Sequence, residues 1–149
     1  MNGTLLSFVR NVGHAYASYS QSVLQDYSLN RTALSILLFL AENPEGCTAG
    51  DISKNKNIRA NVISLHVDKL VQDGYLVRQA VEGDRRKVKL VCTEKAQPIV
   101  EQGIKMRGDF ETFMRSGISE EDAVIFDKCL KTIMTNAADI AHHDCLSQK

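Results

Sequence analysis

Two stretches decide the fold of this chain: Val67-Asp-Lys-Leu-Val-Gln-Asp-Gly-Tyr-Leu-Val-Arg78 and Gly83-Asp-Arg-Arg-Lys-Val-Lys-Leu-Val-Cys-Thr-Glu-Lys95. The first stretch completes a helix of about Ala60 to Gln72, whose apolar residues recur every three to four positions at Ile63, Val67, Leu70 and Val71. Asp73-Gly74 ends this helix, because glycine readily adopts the left-handed conformation of a C-terminal cap.

After Gly74 the period of the pattern changes. Tyr75–Arg78 and Lys87–Cys92 have the composition of short strands, and the second alternates lysine with valine and leucine. Val81-Glu-Gly-Asp-Arg-Arg86 lies between them as a polar tip. The sequence therefore predicts a two-stranded wing directly after a helix.

The residues before this helix predict a helix-turn-helix. Thr48-Ala-Gly-Asp51 has the spacing of a capping box and begins a short helix that carries Ile52. A few polar residues separate it from the helix at Ala60. Upstream we expect one helix over about residues 4–27 and a buried second helix capped by Asn30.

Two long helices are predicted after the wing. The first begins at Thr93 and is broken by Ser116-Gly117, and Ser119 caps the second. The last helix carries a seam with a/d-type spacing, which suits packing against a partner or against the chain's own core: Phe126, Leu130, Ile133, Ala137 and Ile140. The predicted fold class is mostly α with a small β-wing (α+β).

Composition limits the classes of protein. At 149 residues and 44% hydrophobic content, the chain suits one globular domain. It has no apolar window of membrane-spanning length and no signal-peptide pattern, so we expect a cytoplasmic protein without membrane association. Its four cysteines form no CxxC pair, so we expect no disulfide framework. We also expect no cofactor.

Charge is distributed unevenly along a chain of net charge zero. The segment from Lys54 to Lys89 holds nine basic and four acidic residues, an excess of five positive charges. The remaining residues carry the compensating excess of five negative charges. A basic block that coincides with a predicted helix-turn-helix and wing indicates contact with phosphates.

The two quoted stretches resemble the MarR family of winged helix-turn-helix transcription regulators. The family pattern is similar to V-D-[RK]-L-x-x-x-G-[LY]-[LIV]-x-R, then D-x-R and an alternating strand that ends in L-T-E. Asp84 and Arg86 match the D-x-R, and Thr93-Glu94 match the end, where Cys92 replaces leucine. The helix departs from the family pattern at two positions. Leu65 stands where the family often has a polar or basic residue, and His66 stands where it often has an apolar one.

This resemblance implies one MarR-like domain over residues 1–149. A winged helix-turn-helix DNA-binding region would span 30–92, and a helical dimerisation region would span 1–27 and 93–149. The implied protein is a homodimeric regulator, by analogy a repressor, that binds a pseudo-palindromic operator in double-stranded DNA. It would not be an enzyme, and no P-loop, HExxH or nucleophile-elbow motif is present.

The DNA-binding candidates divide between helix and wing. If Ile63, Val67 and Leu70 face the core, the outward residues of the helix and its start are Arg59, Ala60, Asn61, Ser64, Leu65 and Asp68. In the wing, Arg86 is expected to enter the minor groove and Asp84 to hold it extended. Arg85, Lys87 and Lys89 are expected to contact phosphates.

A small-molecule effector is expected to change the distance between the two recognition helices. The family's pocket lies between the dimerisation helices and the winged domain, so the candidates are His14, Tyr16, Tyr19, Phe39 and Phe113.

Three alternatives remain open. Cys47 precedes the Thr48 cap, where a helix N-terminus lowers a thiol pKa, so a cysteine-based redox regulator is one. A winged-helix protein-interaction module without DNA binding is another. The third is a metal sensor that uses His142-His-Asp-Cys145. Adjacent histidines on a helix point about 100° apart, which does not favour a shared metal ion. We therefore expect no metal site.

Overall fold

The computed structural model describes the backbone of residues 4–81 and 83–146, and their side chains except those of residues 85, 86 and 141–146. The chain divides into two compact units, Met1–Phe110 and Glu111–Lys149. Its elements are α1 (Leu5–Tyr19), α2 (Gln21–Asp26), α3 (Arg31–Ala41), α4 (Ala49–Lys56), α5 (Ala60–Gln72), β1 (Leu76–Val81), β2 (Asp84–Cys92), a 3-10 turn (Glu94–Ala96), α6 (Gln97–Arg115) and α7 (Glu120–Leu146). This mostly helical fold with one antiparallel hairpin confirms the predicted fold class.

The helix-turn-helix forms where local capping predicts it. The Asn30 side chain accepts a hydrogen bond from the Ala33 N–H at the start of α3. Thr48 and Asp51 form the reciprocal capping box of α4. Asn57 then adopts the left-handed conformation and turns the chain into α5.

The wing is longer than the predicted strands. β1 and β2 pair antiparallel, with Leu76 opposite Cys92 and Ala80 opposite Val88. Most of β1 beyond Leu76 is exposed. The backbone pairing of β1 with β2 therefore extends beyond the apolar residues from which the sequence predicted the strand. At its base, the Leu90 N–H donates to the Cys47 carbonyl over 2.8 Å, and this bridge ties the wing to the residue before α4.

Helix α3 lies at the centre of the core, as its apolar sequence predicts. Ile36 and Leu37 are fully buried, and α5 packs against them through Ile63, Val67 and Leu70. Helix α6 approaches α3 closely, since a Cβ built on Gly103 would lie 3.0 Å from Leu38 Cδ2. This core orients α5 and the wing on one unit.

Two helix boundaries differ from the prediction, and a third agrees with it. The first helix is not continuous over residues 4–27, because it is interrupted at Ser20, whose hydroxyl donates to the Ala17 carbonyl. The helix after the wing begins as a 3-10 turn before Pro98 takes its place in the first turn of α6. In the other unit, Ser119 caps α7 by accepting the Asp122 N–H, as predicted.

Within the second unit, Arg115 pairs with Glu111 and Asp127 at 3.3 and 2.7 Å. Much of the predicted seam of α7 is exposed, including Ile133 and Ile140. Among the described residues, no helix is both long enough and apolar enough to span a membrane.

Candidate nucleic-acid interface

Helix α5 presents two distinct faces. Ile63, Val67 and Leu70 are at most 2% exposed and pack into the core. The outward face consists of the residues that the sequence analysis singled out, all of them exposed: Ala60, Asn61, Ser64, Leu65 and Asp68. The structure therefore brings the helix candidates together on one solvent-facing surface.

The start of α5 adds a positive charge to that surface. Arg59 occupies the N-cap with an extended backbone (φ −55°, ψ 138°), and its exposed side chain makes no capping hydrogen bond. Lys54 on the preceding helix is exposed as well. A helix N-terminus also carries a partial positive charge, so both the backbone and the side chains favour an anion here.

Two outward side chains of α5 are held by the protein itself. The Ser64 hydroxyl donates to the Ala60 carbonyl over 3.0 Å, so its oxygen remains able to accept a bond from a ligand. Asp68 accepts a charge-assisted hydrogen bond from Arg78 on β1. Arg78 thus connects the helix to the wing, a role that the sequence analysis did not assign to it.

Another contact joins α5 to the start of α3. Asn30 Nδ2 lies 3.4 Å from His66 Nδ1, while Asn30 Oδ1 caps α3. His66 is half-buried rather than directed fully outward. Its departure from the family pattern is therefore explained by a polar partner on a neighbouring helix, which no local pattern in the sequence indicates.

The wing candidates are distributed along β2. Lys87 is exposed, with its Nζ 3.8 Å from Asp84 Oδ2. Arg85 and Arg86 lie in β2 by their backbone, and the predicted roles of their side chains fall outside the described residues. Lys89 donates to the Glu45 carbonyl over 3.2 Å, so it lies at the base of the wing against the loop before α4.

A comparison with protein families identifies what this arrangement resembles. The MarR family model matches residues 27–87, from the residue after α2 to the middle of β2. That match covers the helix-turn-helix and most of the wing. This part of the chain is similar to the MarR family of winged-helix proteins.

Individual proteins resemble this chain over most of its length. The curated HTH-type transcriptional regulator BilQ of Clostridium symbiosum is 22% identical over 107 residues, which cover 72% of this chain and 74% of BilQ. The S. aureus MepR–DNA complex is 18% identical with a TM-score of 0.80, over 91% of this chain and 99% of MepR.

A third similar protein is BpsR of Bordetella bronchiseptica, whose DNA binding is regulated by 6-hydroxynicotinic acid. It is 17% identical with a TM-score of 0.71, over 90% of this chain and 95% of BpsR. At such identities the two structures show that the fold is shared.

Cys47 and Cys92 have environments that disfavour the thiolate. Burial, Asp51 and Glu45 raise the pKa of the Cys47 thiol, although Lys89 opposes them. The sequence-based expectation that the helix N-terminus lowers this pKa is therefore wrong in direction. Burial also raises the pKa of Cys92 to about 11.

The predicted ligand candidates are dispersed. Tyr16 and Tyr19 pack around Phe110, with ring centroids 5.2 and 5.6 Å apart from it. Phe39 is buried in the core beneath Lys56, whose Nζ lies 5.2 Å from the ring centroid. His14 is exposed, and Phe113 belongs to the other unit.

One surface cavity of about 380 Å³ has a different lining: Leu40, Ala41, Pro44, Val91, Cys92, Thr93, Glu94, Gln97, Val100 and Glu101. No group of three metal-ligating side chains occurs among the described residues, and the side chains of His142, His143 and Cys145 lie outside them.

Proposed function

We propose that this chain is a cytoplasmic, homodimeric repressor that binds a pseudo-palindromic operator and releases it in response to a small-molecule ligand. The observation that carries the proposal is the outward face of α5. Asn61, Ser64 and Leu65 on this face are exposed while the opposite face is fully buried. An α-helix of this kind fits the major groove of B-DNA. The DNA complex of the similar MepR supports the same use of the fold.

The helix and the wing would divide the work of recognition. Asn61 has the amide group that pairs bidentately with adenine, and Arg59 at the helix start would contact a phosphate or a base. Arg86 would enter the minor groove, where a narrow A·T-rich groove attracts arginine. Lys87, exposed on β2, would contact a phosphate.

Exposed apolar side chains on the terminal helices support dimerisation. On α1, the exposed large apolar residues include Leu5, Leu6, Phe8 and Val9. On α7 they are Val124, Ile125, Ile133, Met134 and Ile140. Each of these helices alone leaves an apolar surface that water solvates poorly. A second copy of the chain would bury it and would place two recognition helices one turn of DNA apart. We accordingly assign residues 1–27 and 93–149 to dimerisation and 30–92 to DNA binding.

A ligand would control DNA binding by changing the spacing of the two recognition helices. A ligand shifts an equilibrium only by its different affinity for two conformations, here a DNA-binding and a released spacing of the dimer. The regulation of BpsR by 6-hydroxynicotinic acid shows a small aromatic acid acting on a similar protein. The aromatic cluster of Tyr16, Tyr19 and Phe110 would offer a stacking surface to such a molecule.

The test is enrichment of duplexes from a randomised DNA library by the purified full chain, followed by fluorescence anisotropy over a salt series. We expect a palindromic duplex, bound by two copies, whose affinity falls steeply with salt. Asn61→Ala should weaken binding by about 1–3 kcal/mol at one base position. The matched control, Asn136→Ala on exposed α7, should keep the wild-type preference at that base position. Failure to enrich any duplex would favour the protein-interaction alternative.

A further inference from the structure

Leu65 is an unusual residue for the middle of a polar helix face. It is 69% exposed, whereas Val77 and Val88, the exposed valines of the wing, are each 42% exposed. It follows Asn61 by one turn of α5 and directly follows Ser64, and both of these neighbours are exposed. Burial in this chain's core does not account for its apolar side chain.

Two polar side chains near Leu65, those of Ser64 and Asp68, bond to other groups of the protein. The hydroxyl of Ser64 donates to the Ala60 carbonyl over 3.0 Å. The carboxylate of Asp68 pairs with Arg78 on β1. These contacts leave an apolar side chain at the centre of the outward face, with polar groups bordering it.

In the major groove, the apolar group that a base edge presents is the C5-methyl of thymine. We propose that Leu65 recognises a thymine methyl group and is a specificity-determining residue of the DNA site, an inference that rests on the proposed DNA-binding function. Cytosine at the same position presents an N4 amino group, which leucine would desolvate without accepting its hydrogen bond. Leu65 therefore favours T·A over C·G.

The spacing on the helix adds a constraint on the half-site. Leu65 lies four positions after Asn61, and this corresponds to a rise of about 6 Å along the helix axis. Successive base pairs are about 3.4 Å apart. A half-site that satisfies both side chains therefore has an adenine and a thymine within about two base pairs of each other.

The experiment replaces thymines of the enriched duplex by deoxyuridine, one at a time, because this substitution removes only the methyl group. We expect one replacement per half-site to weaken wild-type binding about fourfold, the change that corresponds to losing burial of one methyl-sized group. Leu65→Ala should bind the thymine and uracil duplexes equally. Ile104→Ala, a control at an exposed apolar residue of α6, should keep the wild-type ratio.

Two results would overturn the inference while leaving the proposed function intact. One is wild-type protein that binds every uracil duplex as it binds the parent. The other is Leu65→Ala that retains the wild-type ratio of thymine to uracil affinity. The wild-type series does not depend on whether the variant folds. If the wild-type protein enriches no duplex at all, the proposed function is wrong, and the inference about Leu65 is then wrong as well.

Discussion

The guanidinium of Arg78 on β1 pairs with the carboxylate of Asp68 on the outward side of α5. This ion pair joins the first strand of the wing to the recognition helix across the surface proposed to face DNA. Both side chains are largely exposed, at 46% for Arg78 and 64% for Asp68. Such an exposed pair contributes little to global stability, so its consequence is the relative position of helix and wing.

Replacing Asp68 by asparagine distinguishes two roles of its carboxylate, which are to position the wing through Arg78 and to repel the phosphates of DNA. If charge alone mattered, removing a negative group from a DNA-facing surface would strengthen binding. Because we expect the pair to position the wing, Asp68→Asn should instead weaken DNA binding, by about threefold to tenfold. Fluorescence anisotropy on the enriched duplex measures this. Asp109→Asn, which removes a comparable exposed pair with Lys105 on α6, is the control. Tighter binding by Asp68→Asn would contradict the positioning role.

The thiol of Cys92 should be unreactive in the folded protein. Burial raises its pKa to about 11 from the ordinary 9.0, so near pH 8 its thiolate population falls about a hundredfold. Iodoacetamide at pH 8, followed by peptide mass spectrometry, should modify exposed Cys129 well before Cys92. In urea the two rates should converge. Equal rates in the folded protein, or loss of DNA binding in mild peroxide, would revive the redox alternative.

The capping box of α4 predicts a pH-dependent contribution to stability. Asp51 accepts bonds from the Thr48 hydroxyl and N–H at 2.8 and 2.9 Å, and these bonds lower its pKa below the ordinary 3.8. The ionised carboxylate therefore stabilises the fold above the unfolded-state pKa, and this stabilisation is lost as pH falls through the lowered folded-state pKa.

The measurement compares urea unfolding of wild type and Asp51→Asn across pH. At pH 7 the variant should be less stable by about 0.3–1 kcal/mol, and the difference should vanish well below pH 3.8. Asp139→Asn, an exposed substitution on α7, should show no such trend. A difference between wild type and Asp51→Asn that stayed constant with pH would show that the carboxylate charge is not its source.

Two glycines of α6 should respond oppositely to alanine. A Cβ at Gly103 would lie 3.0 Å from Leu38 Cδ2 and 3.2 Å from Leu34 Cδ1, whereas a Cβ at Gly108 meets nothing within 4 Å. Gly108→Ala should raise the free energy of unfolding by about 0.5–1 kcal/mol through helix propensity. Gly103→Ala should be less stable than Gly108→Ala by about 1–3 kcal/mol, since packed methyls of α3 must move. Equal stabilities would mean that the close approach of α6 to α3 is not restrictive.

The sequence predicted the core of the winged helix well because its cues are periodic. Ile63, Val67 and Leu70 recur on one side of a helix, and all three are buried. The same periodicity correctly placed Asn61 and Leu65 on the opposite, exposed face. The apolar periodicity did not predict the break at Ser20. The helical hydrogen bonds are nearly intact there, so the spacing of the apolar residues is the same as in a continuous helix.

The ends of the helices and the turns between them follow from local sequence. Asn30, the Thr48–Asp51 box and Gly74 act on backbone groups a few residues away, so their effect follows from neighbours in the chain. Which distant groups meet depends instead on how the whole chain packs. Lys89 reaches the Glu45 carbonyl across 44 positions of the chain, and packing also decided that the pKa of Cys47 rises. Hydrogen bonds and desolvation depend on distances in space, which local sequence patterns do not encode.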